Sequence, residues 1–147
     1  MVTAITPGAT LEYSLAEDEG PDKTVFILEP LDPIVAAHVK DKLFVYHLNK
    51  DKSPEDEASI SFNKNELDLL SFRLGVKGWR NFRDDSGKEI GYRTESYGIP
   101  SVGPRPLLDR RLLVYFRPSW ISEIAAKVQG ESFLSEDDRK NSGEPSH

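Results

Sequence analysis

The sequence predicts a small α+β domain in which antiparallel strands and hairpins pack with about three to four helices. Three features indicate this class: residues 24–28 form a short β-branched and aromatic run, Asp32 and Pro118 carry signals for helix starts, and residues 84–87 are typical of a hairpin turn. At 147 residues the chain is long enough to bury one core. We expect three parts: an extended or flexible acidic arm (1–23), a single domain (24–141) and a frayed tail (142–147).

Composition narrows the class of protein further. Hydrophobic residues make up 37% and charged residues 30%, which is typical of a polar but folded domain. No apolar run approaches the roughly 18 residues of a membrane span, and residues 1–11 lack the basic start and apolar centre of a secretory signal. The absence of cysteine excludes disulfides, thiol catalysis and cysteine metal sites. We therefore expect no membrane association and synthesis in the cytosol.

The net charge of −6 is unevenly distributed along the chain. Residues 71–120 contain ten Lys or Arg and five acids, so this segment carries +5 and the remainder carries −11. A basic middle between acidic ends predicts binding either to an acidic partner or to the ends of the chain itself.

The N-terminal arm has low hydrophobicity and the acidic run Glu17–Glu19, which favours a solvated segment with little structure of its own. Leu11, Tyr13 and Leu15 alternate, however, so a short strand at a sheet edge is the alternative.

The first strand and the first helix follow from adjacent signals. Thr24–Leu28 (T-V-F-I-L) is bounded by turn formers and is predicted to be a strand. Asp32 is a good N-cap and Pro33 fits the first helical position, so a helix should run from Pro33 to about Lys40. Helical spacing predicts an inward stripe of Ile34, Ala37 and His38.

Two runs after this helix predict a hairpin with a long loop. Leu43–Leu48 and Ala58–Phe62 have the apolar content and alternation of strands, and the charged residues 50–57 would connect them. His38 and His47 are interpreted as half-buried structural residues, because no carboxylate or second histidine lies near either in sequence.

A helix with a defined start is predicted from Asn63 to the Lys77-Gly78 pair. Asn63 as N-cap and Glu66 form a capping box, and Gly78 suits the left-handed residue after a helix. Gly75 in the last turn indicates either early fraying or a close backbone contact. The expected apolar stripe is Leu67, Leu70 and Leu74.

The residues after this helix predict a hairpin packed on the core. The Trp79 ring is expected to fold back over the core, with its indole N–H bonded. Arg80–Tyr92 should form a hairpin around Asp84-Asp85-Ser86-Gly87, with Phe82, Ile90 and Tyr92 on the inner side. The turn lacks the spaced ligands and closing glutamate of a calcium loop, so a plain turn is favoured.

Residues 94–106 contain several glycines and prolines and are predicted to form a long loop that presents Tyr97 and Ile99 to partners. Residues 107–116 fit a helix or a strand, and the helix is favoured.

The last long helix is predicted over 119–129, started by Pro118 and stopped by Gly130. A capping box at Ser135 and Asp138 predicts a short polar turn after it. The apolar face of the helix would comprise Trp120, Ile121, Ile124, Ala125 and Val128.

No group of residues predicts catalysis. Glu66, Asp68, Asp84 and Asp85 are the candidate carboxylates, but capping and turn roles account for three of them. Because no nucleophile–base pair or metal set is recognisable, we expect a protein that is not an enzyme and binds no cofactor or metal.

The string V-K-G-W-R-N-F-R-D-D-S-G-K-E-I (residues 76–90), together with F-L-S-E-D-D-R-K-N (133–141), resembles small proteins from the head–tail morphogenesis gene clusters of tailed bacteriophages. Some of those proteins are tail assembly chaperones and others are minor structural proteins. The residues that carry the resemblance are Gly78, Trp79, Asn81, Asp84, Gly87, Leu134, Ser135, Lys140 and Asn141.

The resemblance implies protein–protein recognition during virion assembly, in the host cytoplasm or in the particle, with other viral structural proteins as partners. A homo-oligomer is one arrangement that this role allows. Arginine and aromatic side chains are enriched at such interfaces. The predicted contact residues are Arg80, Arg83, Tyr97, Ile99, Arg105, Arg110 and Arg111.

Nucleic-acid binding is the alternative function. Residues 77–83 (K-G-W-R-N-F-R) interleave bases with aromatic rings, which suits base stacking and phosphate contact. The net charge of −6 repels a polyanion and disfavours this alternative.

Overall fold

The computed structural model describes residues 8–50 and 56–130. Within them, helices and two antiparallel sheets form the predicted small α+β fold. In chain order the elements are β1 (Leu11–Tyr13), β2 (Val25–Leu28), α1 (Pro33–Lys50), α2 (Asp56–Gly75), β3 (Val76–Arg80), β4 (Thr94–Ile99), β5 (Gly103–Leu108), a 3-10 helix (Arg110–Tyr115) and α3 (Pro118–Gln129).

The first sheet has the order β1-β2-β3, with both pairs antiparallel. The predicted strand after Lys23 is confirmed as β2, and the alternating residues of the arm form the edge strand β1. Leu15, just after β1, is buried, so the solvated tail favoured on composition is not the state of residues 8–23. The alternation of apolar residues in this arm therefore predicts its structure better than its acidic charge does.

The arm is also attached to α3 by polar contacts. The Tyr13 hydroxyl donates to Glu123 Oε2 at 2.5 Å, and the Ala16 N–H donates to the same oxygen at 2.8 Å. The indole N–H of Trp120 donates to Glu17 Oε1 at 3.0 Å. These hydrogen bonds attach the N-terminal arm to α3, which lies at the other end of the described chain.

Residues 43–48 and 58–62, predicted as strands, instead lie in α1 and α2. The prediction is wrong because a short apolar run fits a buried strand and a buried helix equally well. No glycine or proline interrupts Ile34–Lys50, so α1 continues through the run. Asn63 and Glu66 consequently lie inside α2 and cannot cap its start. Within the described residues, no helix combines the length and apolar content needed to cross a membrane.

The start of α1 is as predicted, but its buried face is not. The Val35 N–H donates to Asp32 Oδ1 at 2.9 Å, which is the expected N-cap bond. The buried side chains are Val35, Ala36 and Val39, whereas Ile34 is 65% exposed. The predicted stripe is thus displaced around the helix by one residue.

Helix α2 packs between α1 and α3 and ends at Gly75. Lys77 and Gly78 belong to β3, so the predicted stop at Gly78 is wrong. The close-contact interpretation of Gly75 is confirmed: a Cβ at this position would lie 2.6 Å from Val128 Cγ2. Only glycine lets α3 approach this closely.

The aromatic rings gather beneath the first sheet. The Trp79 ring lies 5.1 Å from Phe82 and 5.2 Å from Tyr92, centroid to centroid, both edge-on. Its indole N–H donates to the Ile90 carbonyl at 2.7 Å, as predicted. Phe26 is fully buried against the same cluster.

Residues 94–106, predicted as a loop, form most of the hairpin β4–β5. The loop was predicted from the glycines and prolines, and this prediction is wrong. Proline is compatible with an edge strand when the position of its missing N–H faces away from the neighbouring strand. Pro104 and Pro106 lie two residues apart in β5, so their backbone nitrogens face the same edge, the one that points away from β4. Proline has no N–H, so this outer edge lacks two hydrogen-bond donors.

The segment after β5 resolves the choice between helix and strand for residues 107–116. Leu107 and Leu108 complete β5, and a 3-10 helix follows. The predicted last helix is confirmed as α3, with Ile124, Ala125 and Val128 buried and Gly130 as C-cap. The capping box at Ser135 and Asp138 lies outside the described residues.

Candidate functional site

The Asp84–Gly87 turn is built as predicted. Asp84 Oδ1 accepts bonds from the Ser86 N–H (2.9 Å), the Ser86 hydroxyl (2.7 Å) and the Lys88 N–H (3.0 Å). These bonds, the Ser86 hydroxyl first, lower the pKa of Asp84. Gly87 has φ +86°, the left-handed conformation that the turn requires. One carboxylate oxygen thus satisfies the turn's own donors.

Three of the predicted contact arginines lie along the first sheet, the turn and β5. Arg80 is bonded to Glu12 at 2.9 Å, and Arg105 lies 3.9 Å from Asp32 Oδ2. Arg83 donates to Asn81 Oδ1 at 3.1 Å and to the Gly87 carbonyl at 3.3 Å. Arg83 therefore keeps its net charge on the surface, while the other two are neutralised by acids near the N-terminus.

The two predicted contact residues of β4 differ in their environments. Ile99 is 3% exposed and forms part of the core, so its side chain cannot contribute to a contact surface in this fold. Tyr97 is half-buried, and its hydroxyl lies 3.0 Å from His38 Nε2. Alternation along β4 places both side chains on the inner face, which a loop interpretation could not anticipate.

Arg110 and Arg111 begin the 3-10 helix and have different roles. Asp109 caps this helix by accepting the Arg111 N–H at 2.9 Å, and it also accepts both Nε and Nη2 of Arg111. The Arg111 side chain and N–H hold the pKa of Asp109 far below its ordinary value. Arg111 is thus fixed in position and neutralised, although its side chain is 74% exposed.

Arg110 has no side-chain partner within the described residues, and its N–H donates to Glu95 Oε2 at 3.0 Å. The same oxygen accepts Arg73 Nη2 at 2.8 Å, and Arg73 Nε donates to the Leu108 carbonyl at 2.9 Å. Arg73 and Glu95 therefore join α2 to both strands of the second hairpin and to the 3-10 helix.

An open groove of about 360 Å³ lies between the Asp84–Gly87 turn and the 3-10 helix. A 3-10 helix has three residues per turn, so Leu112 and Tyr115 lie on the same face and both line the groove. Ile90 and Leu112 are buried apolar residues of its wall, and Lys88 and Arg93 provide charge. The charge of Arg93 contributes to the lowered pKa of Asp109, although no side-chain hydrogen bond or ion pair of Arg93 is formed within the part of the chain that the structure describes.

The 3-10 helix beside this groove exposes large hydrophobic side chains to solvent. Val114 is 81% exposed and Tyr115 44% exposed. Among the side chains of residues 8–41 and 64–130, these two and Ile34 are the large hydrophobic ones left in solvent. We call Lys88, Arg93, Arg111, Val114 and Tyr115 the Tyr115 surface. Of these residues the sequence predicts only Arg111 as a contact. The pattern of residues 107–116 does not reveal the 3-10 helix that carries Val114 and Tyr115, and nothing in the sequence distinguishes Lys88 and Arg93 from the other basic residues.

The basic middle of the chain binds the chain's own acids to a large extent. Lys77 lies 3.6 Å from Glu29, so its charge, like those of Arg80 and Arg105, is balanced by an acid that precedes α1. Of the two predicted partners for the basic segment, its own N-terminal part is therefore observed. The groove itself is lined by charges of both signs, with Lys88 and Arg93 beside Asp84 and Glu89.

The candidate carboxylates Glu66, Asp68 and Asp84 differ in their environments. Asp68 is buried and accepts Gln129 Nε2 at 2.8 Å and Lys64 Nζ at 3.3 Å, which joins α2 to α3. Glu66 is exposed, and Asp84 is occupied by its turn. Among the described side chains, those of residues 8–41 and 64–130, no three His, Asp or Glu come together as a metal-binding group.

The basic and aromatic stretch 77–83 has its rings inside the protein. Phe82 is buried and Trp79 packs on it, while Lys77 and Arg80 form ion pairs. Base stacking by this stretch would require both rings to leave the core.

Comparison of the chain with protein-family models, with curated proteins and with solved structures finds no match.

Proposed function

We propose that this chain is a non-enzymatic binding protein whose Tyr115 surface docks onto another protein during the assembly of a bacteriophage particle. The observation that carries the binding role is the exposure of Val114 (81%) and Tyr115 (44%) beside an open groove. Exposed apolar residues rimmed by charged ones are typical of protein-binding surfaces.

The chemistry of the surface indicates the kind of partner. Tyrosine and arginine are the residues that most often anchor protein interfaces. Tyr115 supplies an aromatic anchor, and the groove beside it carries the cations of Lys88 and Arg93 together with the carboxylates of Asp84 and Glu89. The matching partner presents an apolar side chain flanked by charged groups of both signs.

The assignment to phage assembly is supported by the sequence resemblance. Within the described residues, its positions have structural roles: Trp79 packs in the core, Asn81 has φ +59°, and Gly87 closes the turn. The matched residues therefore specify a fold, and the surface would specify the partner.

The test is a binding measurement with matched variants. Val114→Ser combined with Tyr115→Ser should leave the melting temperature unchanged, because both side chains are exposed, and should weaken capture of a partner by at least about tenfold. Ile34→Ser, at a site 65% exposed on α1, is the control and should bind normally.

Partners are identified by cross-linking and mass spectrometry in the cells that produce the chain, with purified particles analysed in parallel. Cross-links from the Tyr115 surface to virion proteins are expected. Equal capture by the double variant and the unchanged protein would contradict the binding surface, and measurable turnover of a substrate would contradict the non-enzymatic role.

A further inference from the structure

We infer that β4 is an open sheet edge through which two copies of this chain pair, strand to strand, about a twofold axis. The inference is independent of the Tyr115 surface. It depends on which backbone groups of β4 face away from β5.

The direction of these groups follows from two prolines and one hydrogen bond. Pro104 and Pro106 have no N–H, so their pairs with Gly98 and Ser96 cannot be the doubly hydrogen-bonded pairs of the ladder. The Asp109 N–H donates to the Arg93 carbonyl, which places the odd-numbered residues of this strand toward β5. The N–H and C=O groups of Thr94, Ser96 and Gly98 therefore point outward.

No hydrogen bond in the described ranges occupies this outer edge of Thr94, Ser96 and Gly98, and all three are exposed. An exposed strand edge is a template for another strand unless proline, charge or a bulge protects it. The outer edge of β5 carries two prolines, and β1 is only three residues long. At the remaining edge strand, β3, the Tyr92 hydroxyl already donates to the Val76 carbonyl at 2.7 Å.

A second copy fits the β4 edge in one antiparallel register. Pairing Ser96 with Ser96 of the second copy sets each Thr94 opposite a Gly98, so all three outward residues bond. Glu95 then lies opposite Tyr97, and no like charges face each other, which would be destabilising. Thr94, Ser96 and Gly98 are small, so no side chain obstructs the approach. An identical strand pair is self-complementary, as a twofold interface requires.

The test is sedimentation equilibrium over a range of concentrations, with Ser96→Pro against Ser96→Ala. Proline at position 96 has no N–H, as at Pro104 and Pro106 in β5, so it removes one outward donor from β4. It should weaken dimerisation about tenfold or more, whereas alanine keeps the N–H and should leave dimerisation unchanged. Because each copy carries −6, the dimer should strengthen as salt screens repulsion.

A second measurement stands independently of whether the proline variant folds. The chain has no cysteine, so Ser96→Cys provides a single thiol, which a short thiol-specific cross-linker should join between copies. Ser119→Cys, exposed at the start of α3, is the control and should remain uncoupled. A chain that stays monomeric at every concentration, a dimer that Ser96→Pro does not weaken, or equal coupling at both thiols would overturn the inference.

Discussion

The close contact between α2 and α3 at Gly75 determines whether replacing this glycine by alanine stabilises or destabilises the protein. In most helices, replacing glycine by alanine stabilises by about 0.5–1 kcal/mol through backbone entropy. At Gly75 the added Cβ would lie 2.6 Å and 2.8 Å from the two Cγ atoms of Val128, both well inside ordinary contact. Overpacking of this kind costs about 1–3 kcal/mol. The cost of overpacking is at least as large as the gain in entropy, so Gly75→Ala should destabilise by up to about 2.5 kcal/mol.

The double-mutant cycle isolates the cause. Val128→Ala alone removes two carbons from a fully buried site and should cost about 1.6 kcal/mol plus a cavity term. The methyl group of alanine at position 75 then occupies part of that cavity, so the double variant should be more stable than additivity predicts by about 1–3 kcal/mol.

The measurement is the free energy of unfolding from urea titration of the four proteins, with equal slopes as a check that only stability changes. If Gly75→Ala stabilises the protein and the two changes are additive, the close approach of α3 to α2 is refuted.

Three further predictions concern other parts of the fold, each followed by thermal or urea unfolding. Trp79→Ala should destabilise by about 3–5 kcal/mol because the ring packs on the aromatic core, and an unchanged melting temperature would instead assign the ring to binding. Burial raises the pKa of Tyr13 and of Tyr92 to about 12, so both favour folding while protonated. Their contribution to stability should be complete below about pH 10 and should be lost as the pH rises toward 12, and this alkaline loss should be smaller in the Tyr13→Phe and Tyr92→Phe variants. Asp32→Ala removes the N-cap of α1 and should cost about 1 kcal/mol, whereas Asp41→Ala within the same helix should have little effect, and equal losses would contradict the capping role.

Local chemistry made several elements predictable from the sequence. Asp32 and Pro33 start α1 because a side-chain acceptor and a residue without N–H suit the unpaired donors of a helix N-terminus. Residues 84–87 form the turn because their side chains bond to adjacent backbone. Trp79 required a partner for its indole N–H wherever it was buried, and it has one.

The binding features could not be predicted in this way. The open edge of β4 depends on its pairing with a proline-bearing strand, and the sequence pattern of residues 94–106 indicated a loop. The exposure of Val114 and Tyr115 is likewise not evident from the pattern of residues 107–116, because the chain there completes strand β5 and then forms a 3-10 helix.

The sequence by itself determined the α+β class, the helix starts at Pro33 and Pro118, strand β2 and the hairpin turn, because each depends on bonds between near neighbours. Only the tertiary structure decided that residues 43–48 are helical, that Ile34 faces solvent and that the acidic arm neutralises part of the basic middle. Those outcomes depend on what packs against each segment, and contacts between residues far apart in the chain set the energy of burial.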